Sequence, residues 1–203
     1  QIKQAEQEAK NRQIGLHSPA PIPAIEIHDL TKRTNRRDLM EAINQLRNNE
    51  HEGIIEFVAS SSKFYVFIPK FGYLLRSEIN GILPYQPNDK FAIEARNYCA
   101  SHYTQSNILI TPTEVDKYGY FLSKIVIKTF YGKVFGLAED LIQNGLAEIY
   151  NKFINSDSDD TTLLTLQRDA CQNGVGVWSD KTRHDYELQA KTVEKVKVIS
   201  IWN

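Results

Sequence analysis

The 203-residue sequence contains little cysteine and has no excess of charge of either sign. Its two cysteines, Cys99 and Cys171, form no CxxC pair and suggest no plausible metal site with a histidine partner. Thiols in this pattern favour a reducing compartment and exclude a disulfide-stabilised scaffold. Because 24 basic residues are matched by 25 acidic ones, for a net charge of −1, the molecule as a whole has no field that would attract a polyanion. Any nucleic-acid binding must therefore come from a local patch.

Long apolar runs and the common enzyme signatures are also missing. No run of about 18 apolar residues occurs, and the chain opens on polar residues rather than on a signal peptide. We therefore expect an intracellular protein with no membrane partner, in the cytoplasm or in both cytoplasm and nucleus. The signatures GxxxxGK, HExxH and GxSxG are absent. The histidines lie far apart without metal-ligand spacing: His17, His28, His51, His102 and His184.

One short pattern is present twice, at an offset of 176 − 15 = 161 residues. Glu8-Ala9 followed by Gly15-Leu16-His17-Ser18 matches Asp169-Ala170 followed by Gly176-Val177-Trp178-Ser179. Each copy lies at the end of a polar helix that stops at a glycine. The repetition predicts a tandem array in which residues 1–18 are the terminal helix of a preceding repeat and one full module lies between the two copies.

Proline and basic residues mark the junction before that module. Pro19, Pro21 and Pro23 force an extended chain, so residues 19–52 are predicted to be a proline-rich linker that leads into a short helix over 35–48. Four cations precede the apolar face of this helix: Lys32, Arg33, Arg36 and Arg37. This cluster is either the solvated start of a helix or a contact for RNA backbone.

From Gly53 onward the apolar period becomes that of strands. A hairpin is predicted around Ser60-Ser61-Ser62, with alternating apolar residues on both of its strands: Ile55, Phe57, Phe64, Val66 and Ile68. A third strand is predicted from Tyr73 to Ile82, closed by Pro84 and Pro87, and two more over 108–110 and 122–127. Helices are predicted after Pro87, capped by Asn88 or Asp89, and over 137–149 and 163–173. The first of them carries one apolar side: Phe91, Ala95, Cys99 and Tyr103. Asp157, Asp159 and Asp160 lack the glycine and glutamate of an EF-hand and are interpreted as a helix cap. The order predicts an α+β fold, a five-stranded OB-type barrel with about three helices.

Three motifs resemble the staphylococcal nuclease superfamily and occur in the same order as there: Asp116-Lys117-Tyr118-Gly119, Gly145-Leu146-Ala147 and Gly176-Val177-Trp178-Ser179. Further segments are similar to the junction into the fourth nuclease-like repeat of the Tudor staphylococcal nuclease family: Glu8-Ala9, Ile22-Pro23, Asp29-Leu30, 54–58 and Ile68-Pro69-Lys70. The resemblance implies that residues 53–180 form that repeat and that 181–203, with a strand from Val196, open a following Tudor-containing module.

The resemblance also specifies a chemistry that this sequence lacks. An active member holds calcium with aspartates of the first hairpin and third strand, positions water with a glutamate and stabilises phosphate charge with two arginines. The corresponding positions here are Ser60-Ser61-Ser62, Ile82 and Tyr85 for the carboxylates, and Ser77 and Tyr120 for the arginines. Isoleucine cannot ligate a metal, and a phenol of pKa about 10 is a poor base. We predict a lost calcium site, no catalytic residues and no cofactor.

Aromatic and basic residues nevertheless surround the vacated groove. The predicted nucleic-acid-binding residues are Lys63, Lys70, Tyr73, Arg76, Tyr85, Lys117, Tyr118 and Tyr120. Aromatic rings that stack on bases beside cations that meet phosphates are how OB barrels hold single strands. In the alternative interpretation the tyrosines are half-buried strand residues and the lysines are solvated residues that protect sheet edges.

The resemblance implies a catalytically degenerate module that binds single-stranded or small duplex RNA. It further implies service in RNA-silencing, RNA-decay, splicing or transcription complexes, with neighbouring repeats, the Tudor domain and ribonucleoprotein components as partners. A second hypothesis is a protein-interaction platform whose tyrosines form an apolar patch, and salt separates the two because phosphate contacts weaken as salt rises. A third is an active, calcium-dependent endonuclease whose cleavage disappears on Arg76→Ala.

Overall fold

The computed structural model describes residues 2–19, 26–32, 35–83, 85, 90–129, 132, 134–150 and 161–179. Within these ranges the α-helices are α1 (Ile2–Asn11), α2 (Arg36–Leu46), α3 (Lys90–Tyr103), α4 (Leu137–Gln143) and α5 (Thr161–Gln172). The strands are β1 (His28–Asp29), β2 (His51–Val58), β3 (Lys63–Ile68), β4 (Tyr73–Ile79), β5 (Ile82–Leu83), β6 (Asn107–Val115), β7 (Phe121–Lys128), β8 (Val134–Gly136) and β9 (Glu148–Ile149). Single 3-10 turns cover Gly15–His17 and Gly176–Ser179.

Five strands form a closed barrel in the order β4-β3-β2-β6-β7. Neighbours in that order pair antiparallel, and a parallel pairing of β4 with β7 closes the barrel at Ser77 with Phe121 and Ile79 with Ser123. Alternate residues of each strand point inward, as the twofold period of a strand requires. Phe64, Val66 and Ile68 of β3 are therefore fully buried. The predicted OB-type barrel is confirmed.

Helices cover the barrel with the faces that their spacing predicts. Leu39, Ala42, Ile43 and Leu46 of α2 are buried, and the Asn35 side chain caps this helix by accepting the Asp38 N–H at 3.0 Å. On α3 the residues four apart form the buried stripe: Phe91, Ala95, Cys99 and Tyr103. These two faces pack on the barrel, α2 against β6 and α3 against β2.

Two strand predictions were wrong in detail. The pairing of β2 with β3 contains a bulge between Ile55 and Phe57, so Ile55 is buried whereas Phe57 is 48% exposed. The third strand ends at Ile79 rather than at Ile82, because Gly81 has a φ of +86° and turns the chain away. Ile82 instead begins β5, which pairs with β9.

The helix predicted over 137–149 is also shorter than expected. It ends at Gln143, because Gly145 adopts a left-handed φ of +62° and the Leu146 N–H bonds back to the Leu141 carbonyl at 2.8 Å. Residues 148–149 then form a strand, β9. The tight turn at Gly145 lets another backbone approach: a Cβ there would lie 2.2 Å from the Val175 carbonyl oxygen.

The two copies of the short pattern have the same backbone conformation. In each copy three N–H groups donate to the preceding turn: Arg12 to Glu8, Ile14 to Ala9 and His17 to Ile14, then Asn173 to Asp169, Val175 to Ala170 and Trp178 to Val175. Gly15 and Gly176 have φ values of +60° and +56°. The copies differ in burial, since Val177 is 3% exposed and the equivalent Leu16 is 93% exposed.

Several sequence predictions concern positions outside the described residues. These are Pro21, Pro23, Arg33, Pro84, Pro87, the caps Asn88 and Asp89, the aspartates of 157–160, His184 and the strand from Val196. Among the helices that the structure does describe, none combines the length and the apolar character that a bilayer span requires.

Candidate nucleic-acid interface

Two serines at the family's carboxylate and arginine positions, Ser62 and Ser77, are buried and make hydrogen bonds within the barrel. Ser62 is fully buried; its backbone N–H donates to the Ser60 hydroxyl at 3.3 Å, and its carbonyl accepts the Ile79 N–H at 2.9 Å. Ser77 is also fully buried, and its hydroxyl donates to the Phe121 carbonyl at 3.3 Å. These contacts tie β3, β4 and β7 together at the barrel seam, where positions 62 and 77 carry hydroxyls instead of a carboxylate and a guanidinium.

Two other positions of the family's site are occupied by packed side chains. Ile82 is 6% exposed and lies in the core. The Tyr85 hydroxyl donates to the Gly145 carbonyl at 2.8 Å, and its ring centroid lies 6.2 Å from that of Phe91. The residues present therefore do not fit the calcium ion of the family, which needs several oxygen ligands. In the described part of the chain no three histidine, cysteine or acidic side chains approach closely enough to share a metal ion.

Two cations lie over one tyrosine ring beside that seam. The Lys63 Nζ is 4.6 Å from the centroid of Tyr120, and the Arg76 Cζ is 4.9 Å from it. Lys63 also lies 3.9 Å from a carboxylate oxygen of Glu78. Burial raises the pKa of Glu78 above its ordinary value; Lys63 opposes this shift and Asp116 adds to it. Two positively charged side chains, Lys63 and Arg76, thus lie close together around the Tyr120 ring on one side of the barrel.

The loop between β6 and β7 exposes the side chain of a second tyrosine, Tyr118, to solvent. The Asp116 carboxylate accepts the N–H groups of Tyr118 and Tyr120, both at 2.8 Å, and Arg76 Nη2 donates to the Tyr118 carbonyl at 2.8 Å. Gly119 has a φ of +83°, and a Cβ there would lie 2.7 Å from that same Arg76 nitrogen. The loop backbone is therefore fixed, while the Tyr118 side chain is 67% exposed.

A shallow pocket of about 300 Å³ connects this loop to α2. Arg36 lines it together with Arg76, Lys117 and Tyr118, and the Lys117 Nζ lies 4.9 Å from the Tyr118 ring centroid. We call the set Lys63, Arg76, Tyr120, Lys117, Tyr118 and Arg36 the cationic patch. In the sequence Arg36 belongs to a separate basic cluster, Lys32 to Arg37, because no periodic signal relates residues so far apart in the chain.

The remaining predicted site residues lie elsewhere. Lys70 is in the turn after β3, with its Nζ 5.5 Å from the Phe71 ring centroid, and Tyr73 stacks on the same ring at 6.1 Å. Lys63 is at the opposite end of β3, and six residues of strand extend about 17 Å. Tyr85, held by Gly145, belongs to the cluster under the C-terminal 3-10 turn. The structure thus unites five of the eight predicted residues and separates Lys70, Tyr73 and Tyr85.

A closed OB barrel with a helical segment docked on its Gly145 turn, and with exposed aromatic and basic side chains beside one seam, defines a nuclease-like module. The family described as staphylococcal nuclease homologues matches residues 76–180, just over half of the chain, and the chain belongs to this family. The predicted superfamily is confirmed, whereas the assignment to a fourth repeat stays a prediction.

Two curated relatives match nearly the whole chain or most of it. "Staphylococcal nuclease domain-containing protein 1" of Drosophila melanogaster is 26% identical over 220 aligned residues, which cover 98% of this chain and 23% of that protein. "Ribonuclease TUDOR 1" of Arabidopsis thaliana is 24% identical over 169 residues, 82% of this chain and 16% of that protein. The chain therefore spans less than a quarter of the length of either relative.

Proposed function

We propose that the chain is a module that binds single-stranded RNA on the cationic patch without cutting it. The observation that carries the proposal is the placement of Lys63 and Arg76 over the Tyr120 ring, beside the exposed ring of Tyr118. Bases stack on exposed aromatic rings, and cations beside those rings meet the phosphates.

The charges of the patch support this assignment. Four cations, Lys63, Arg76, Lys117 and Arg36, are accompanied by two carboxylates. One carboxylate, Asp116, already accepts two backbone N–H groups, and the other, Glu78, is partly buried and lies 3.9 Å from Lys63, so the four cations outnumber the two carboxylates. The patch is therefore locally positive on a chain whose net charge is −1. A local field of this kind is what a nearly neutral protein needs to attract a polyanion.

The absence of cleavage rests on the side chains at the family's catalytic positions. The Ser62 side chain is buried with its hydroxyl 3.5 Å from that of Ser60, and the Ser77 hydroxyl donates to a backbone carbonyl. Ile82 lies in the core, and the Tyr85 hydroxyl donates to the Gly145 carbonyl. Without a carboxylate for the metal and a base for water, phosphodiester hydrolysis by the family mechanism has no starting point. The proposed module therefore needs no calcium.

Fluorescence anisotropy of labelled single-stranded and duplex RNA, titrated with the 203-residue chain at several salt concentrations, tests the proposal. Four phosphate contacts predict a slope of log affinity against log salt of about −3 on a single strand. Tyr118→Ala removes a stacking platform worth roughly 1–3 kcal/mol, so the Kd should rise about tenfold. Lys117→Gln should reduce the steepness of the salt slope by about 0.7.

Lys70→Gln is the matched control, because it removes the same charge at the far end of β3. Its affinity should equal that of the unmodified chain. Salt-insensitive binding, or equal losses in Lys70→Gln and Lys117→Gln, would contradict the patch. Each sample is also run on a gel with calcium or with a chelator. RNA shortened only with calcium, and spared in Arg76→Ala, would instead establish the active-endonuclease hypothesis.

We extend the proposal to the setting in which the module works. Similarity to relatives named for a nuclease domain and for a ribonuclease supports a role with RNA. The proposed setting is an RNA-silencing, RNA-decay, splicing or transcription complex of the cytoplasm or nucleus. The matching backbone of the two copies of the short pattern supports an array, with residues 1–18 closing a preceding repeat and 53–180 forming the next. Neighbouring repeats, a Tudor domain and ribonucleoprotein components are the proposed partners.

A further inference from the structure

A cleft of about 750 Å³ opens on another side of the barrel, between the end of α3, the start of α4 and the strands β2, β6 and β7. None of the residues of the cationic patch lines it. Its volume lies in the range of pockets that hold small molecules or a few peptide residues. Its lining combines aromatic rings with carboxylates, which is a different chemistry from that of the patch.

Four aromatic rings form the walls of this cleft: Tyr98, His102, Tyr103 and Phe135. The rings of Tyr98 and His102 stack at a centroid distance of 4.2 Å, and Tyr103 stands at 75° to Tyr98. Phe135 continues the wall, with its ring centroid 6.4 Å from that of Tyr103. Because several of these rings stand at steep angles to one another, a ligand in the cleft would meet more than one aromatic face. Aromatic faces attract cations.

A carboxylate is fixed at the base of these rings. Asp140 Oδ2 accepts the hydroxyls of Tyr98, at 3.0 Å, and of Tyr103, while Oδ1 has a 3.3 Å contact with the Asn144 amide. Burial raises the pKa of both tyrosines, so their hydroxyls stay protonated and continue to donate. A carboxylate offers about four lone-pair sites, so Oδ1 keeps capacity for a further donor.

The charges around the cleft disfavour a phosphate chain. Glu52 lines it with its side chain 84% exposed, and Glu56 lies beside it as the acceptor of the Gln105 amide at 2.9 Å. Among the described lining residues the lysine is Lys128, whose Nζ is 3.2 Å from Glu52. Apart from His102, that described lining carries two carboxylates, Asp140 and Glu52, against this one amine. A polyanion would be repelled, whereas a cation would gain from both rings and carboxylates.

We infer that this cleft binds the side chain of an arginine in a partner protein. A guanidinium is planar, stacks on aromatic faces and donates to carboxylate oxygens, which matches rings that surround the Asp140 carboxylate and the remaining acceptor capacity of its Oδ1. The module thereby holds two ligands of opposite charge: RNA on the cationic patch and an arginine-bearing protein segment in the cleft. This second site stands whether or not the patch binds RNA.

The test uses a fluorescein-labelled Gly/Ser peptide carrying two arginines and the same peptide with citrulline, which keeps the shape and removes the charge. The arginine peptide should bind the 203-residue chain at least about tenfold more tightly than the citrulline peptide. Asp140→Asn should weaken the arginine peptide about tenfold and leave RNA affinity unchanged. Lys63→Gln, on the cationic patch, should leave peptide affinity unchanged.

Glu52→Gln keeps the test decisive if Asp140→Asn fails to fold, because Glu52 is a solvent-exposed side chain at the rim. It should weaken the arginine peptide about threefold. Equal binding of the arginine and citrulline peptides would overturn the inference, as would unchanged peptide affinity in both carboxylate variants. A Tyr98→Leu variant that is folded, with peptide affinity unchanged, would equally overturn it, since the ring is required.

Discussion

At the scale of single residues, Glu78 combines burial with a place in the cationic patch. Its pKa in the folded protein is raised, first by burial and with an opposing effect from Lys63. The folded protein therefore binds this proton more tightly than the unfolded chain does. The contribution of Glu78 to stability is fully present below its unfolded pKa and is lost as pH rises through its folded pKa.

Glu78→Gln removes this titration, so the free energy of unfolding of the variant, relative to the unmodified chain, should increase from about pH 4 to about pH 7. Urea denaturation at a series of pH values measures it. Glu50→Gln removes the same charge from an exposed position and controls for the change in net charge. A difference that moves the other way with pH would show that the ion pair with Lys63 outweighs burial.

Cys99 is a second residue whose environment controls its chemistry. The thiol is fully buried, lies 3.7 Å from the Ser61 carbonyl, and burial raises its pKa to about 12. Because the thiolate is the reactive form, Cys99 should resist Ellman's reagent in the folded protein. Cys171 is 5% exposed and should be slow as well. We expect both thiols to react only after denaturation; a rapid native reaction that a Cys99→Ala variant loses would contradict this.

At the scale of elements, the contact between the α4 turn and the C-terminal 3-10 turn depends on two glycines. The Val177 N–H donates to the Gly145 carbonyl at 3.1 Å, and a Cβ on Gly176 would lie 2.4 Å from that same carbonyl oxygen. Gly174 has a similar φ of +63° but nothing within 4 Å of a Cβ. An alanine at position 174 would therefore introduce backbone strain alone, whereas an alanine at position 176 would introduce the same strain and a steric clash.

Gly174→Ala should cost about 1 kcal/mol of stability, the strain of a left-handed alanine. Gly176→Ala should cost at least about 2 kcal/mol more, because the two backbone segments must move apart. Chemical denaturation of both variants measures the difference. Equal losses would mean that the segments separate freely and that the contact does not stabilise the closed module.

Sequence patterns predicted the regular elements and missed those that depend on contacts between distant segments. The alternation of Phe64, Val66 and Ile68 and the fourfold spacing of the α3 stripe are local signals, and both predictions are confirmed. The bulge at Phe57 and the pairing of β5 with β9 arise from register and turn geometry, which no local period encodes. The candidate site could be predicted only in part for the same reason. The sequence predicts nucleic-acid binding for both Lys70 and Lys117, but only Lys117 lies in the cationic patch.

At the scale of the whole molecule, one closing segment is docked and its copy is not. Both have the same turn hydrogen bonds and the same left-handed glycine, yet α1 buries no side chain, whereas Val177 and Trp178 are buried against Phe91 and Ala170. The backbone conformation of the segment therefore does not require a docked side chain. Docking instead buries the residue after the glycine. This residue is Val177 in the docked copy, and the equivalent residue of the undocked copy, Leu16, is exposed.

The equivalent substitutions Leu16→Ala and Val177→Ala measure that burial. In the 203-residue chain Leu16→Ala should leave the free energy of unfolding unchanged, since Leu16 is 93% exposed, while Val177→Ala should cost about 2 kcal/mol. In a longer protein with a nuclease-like barrel before residue 1, the proposed array requires Leu16→Ala to destabilise that barrel by a similar amount, because Leu16 would then occupy the place of Val177. Thermal unfolding of such a two-module protein, with Ile2→Ala as an exposed control in α1, decides the matter: an unchanged first transition would mean that the first copy does not close a preceding repeat.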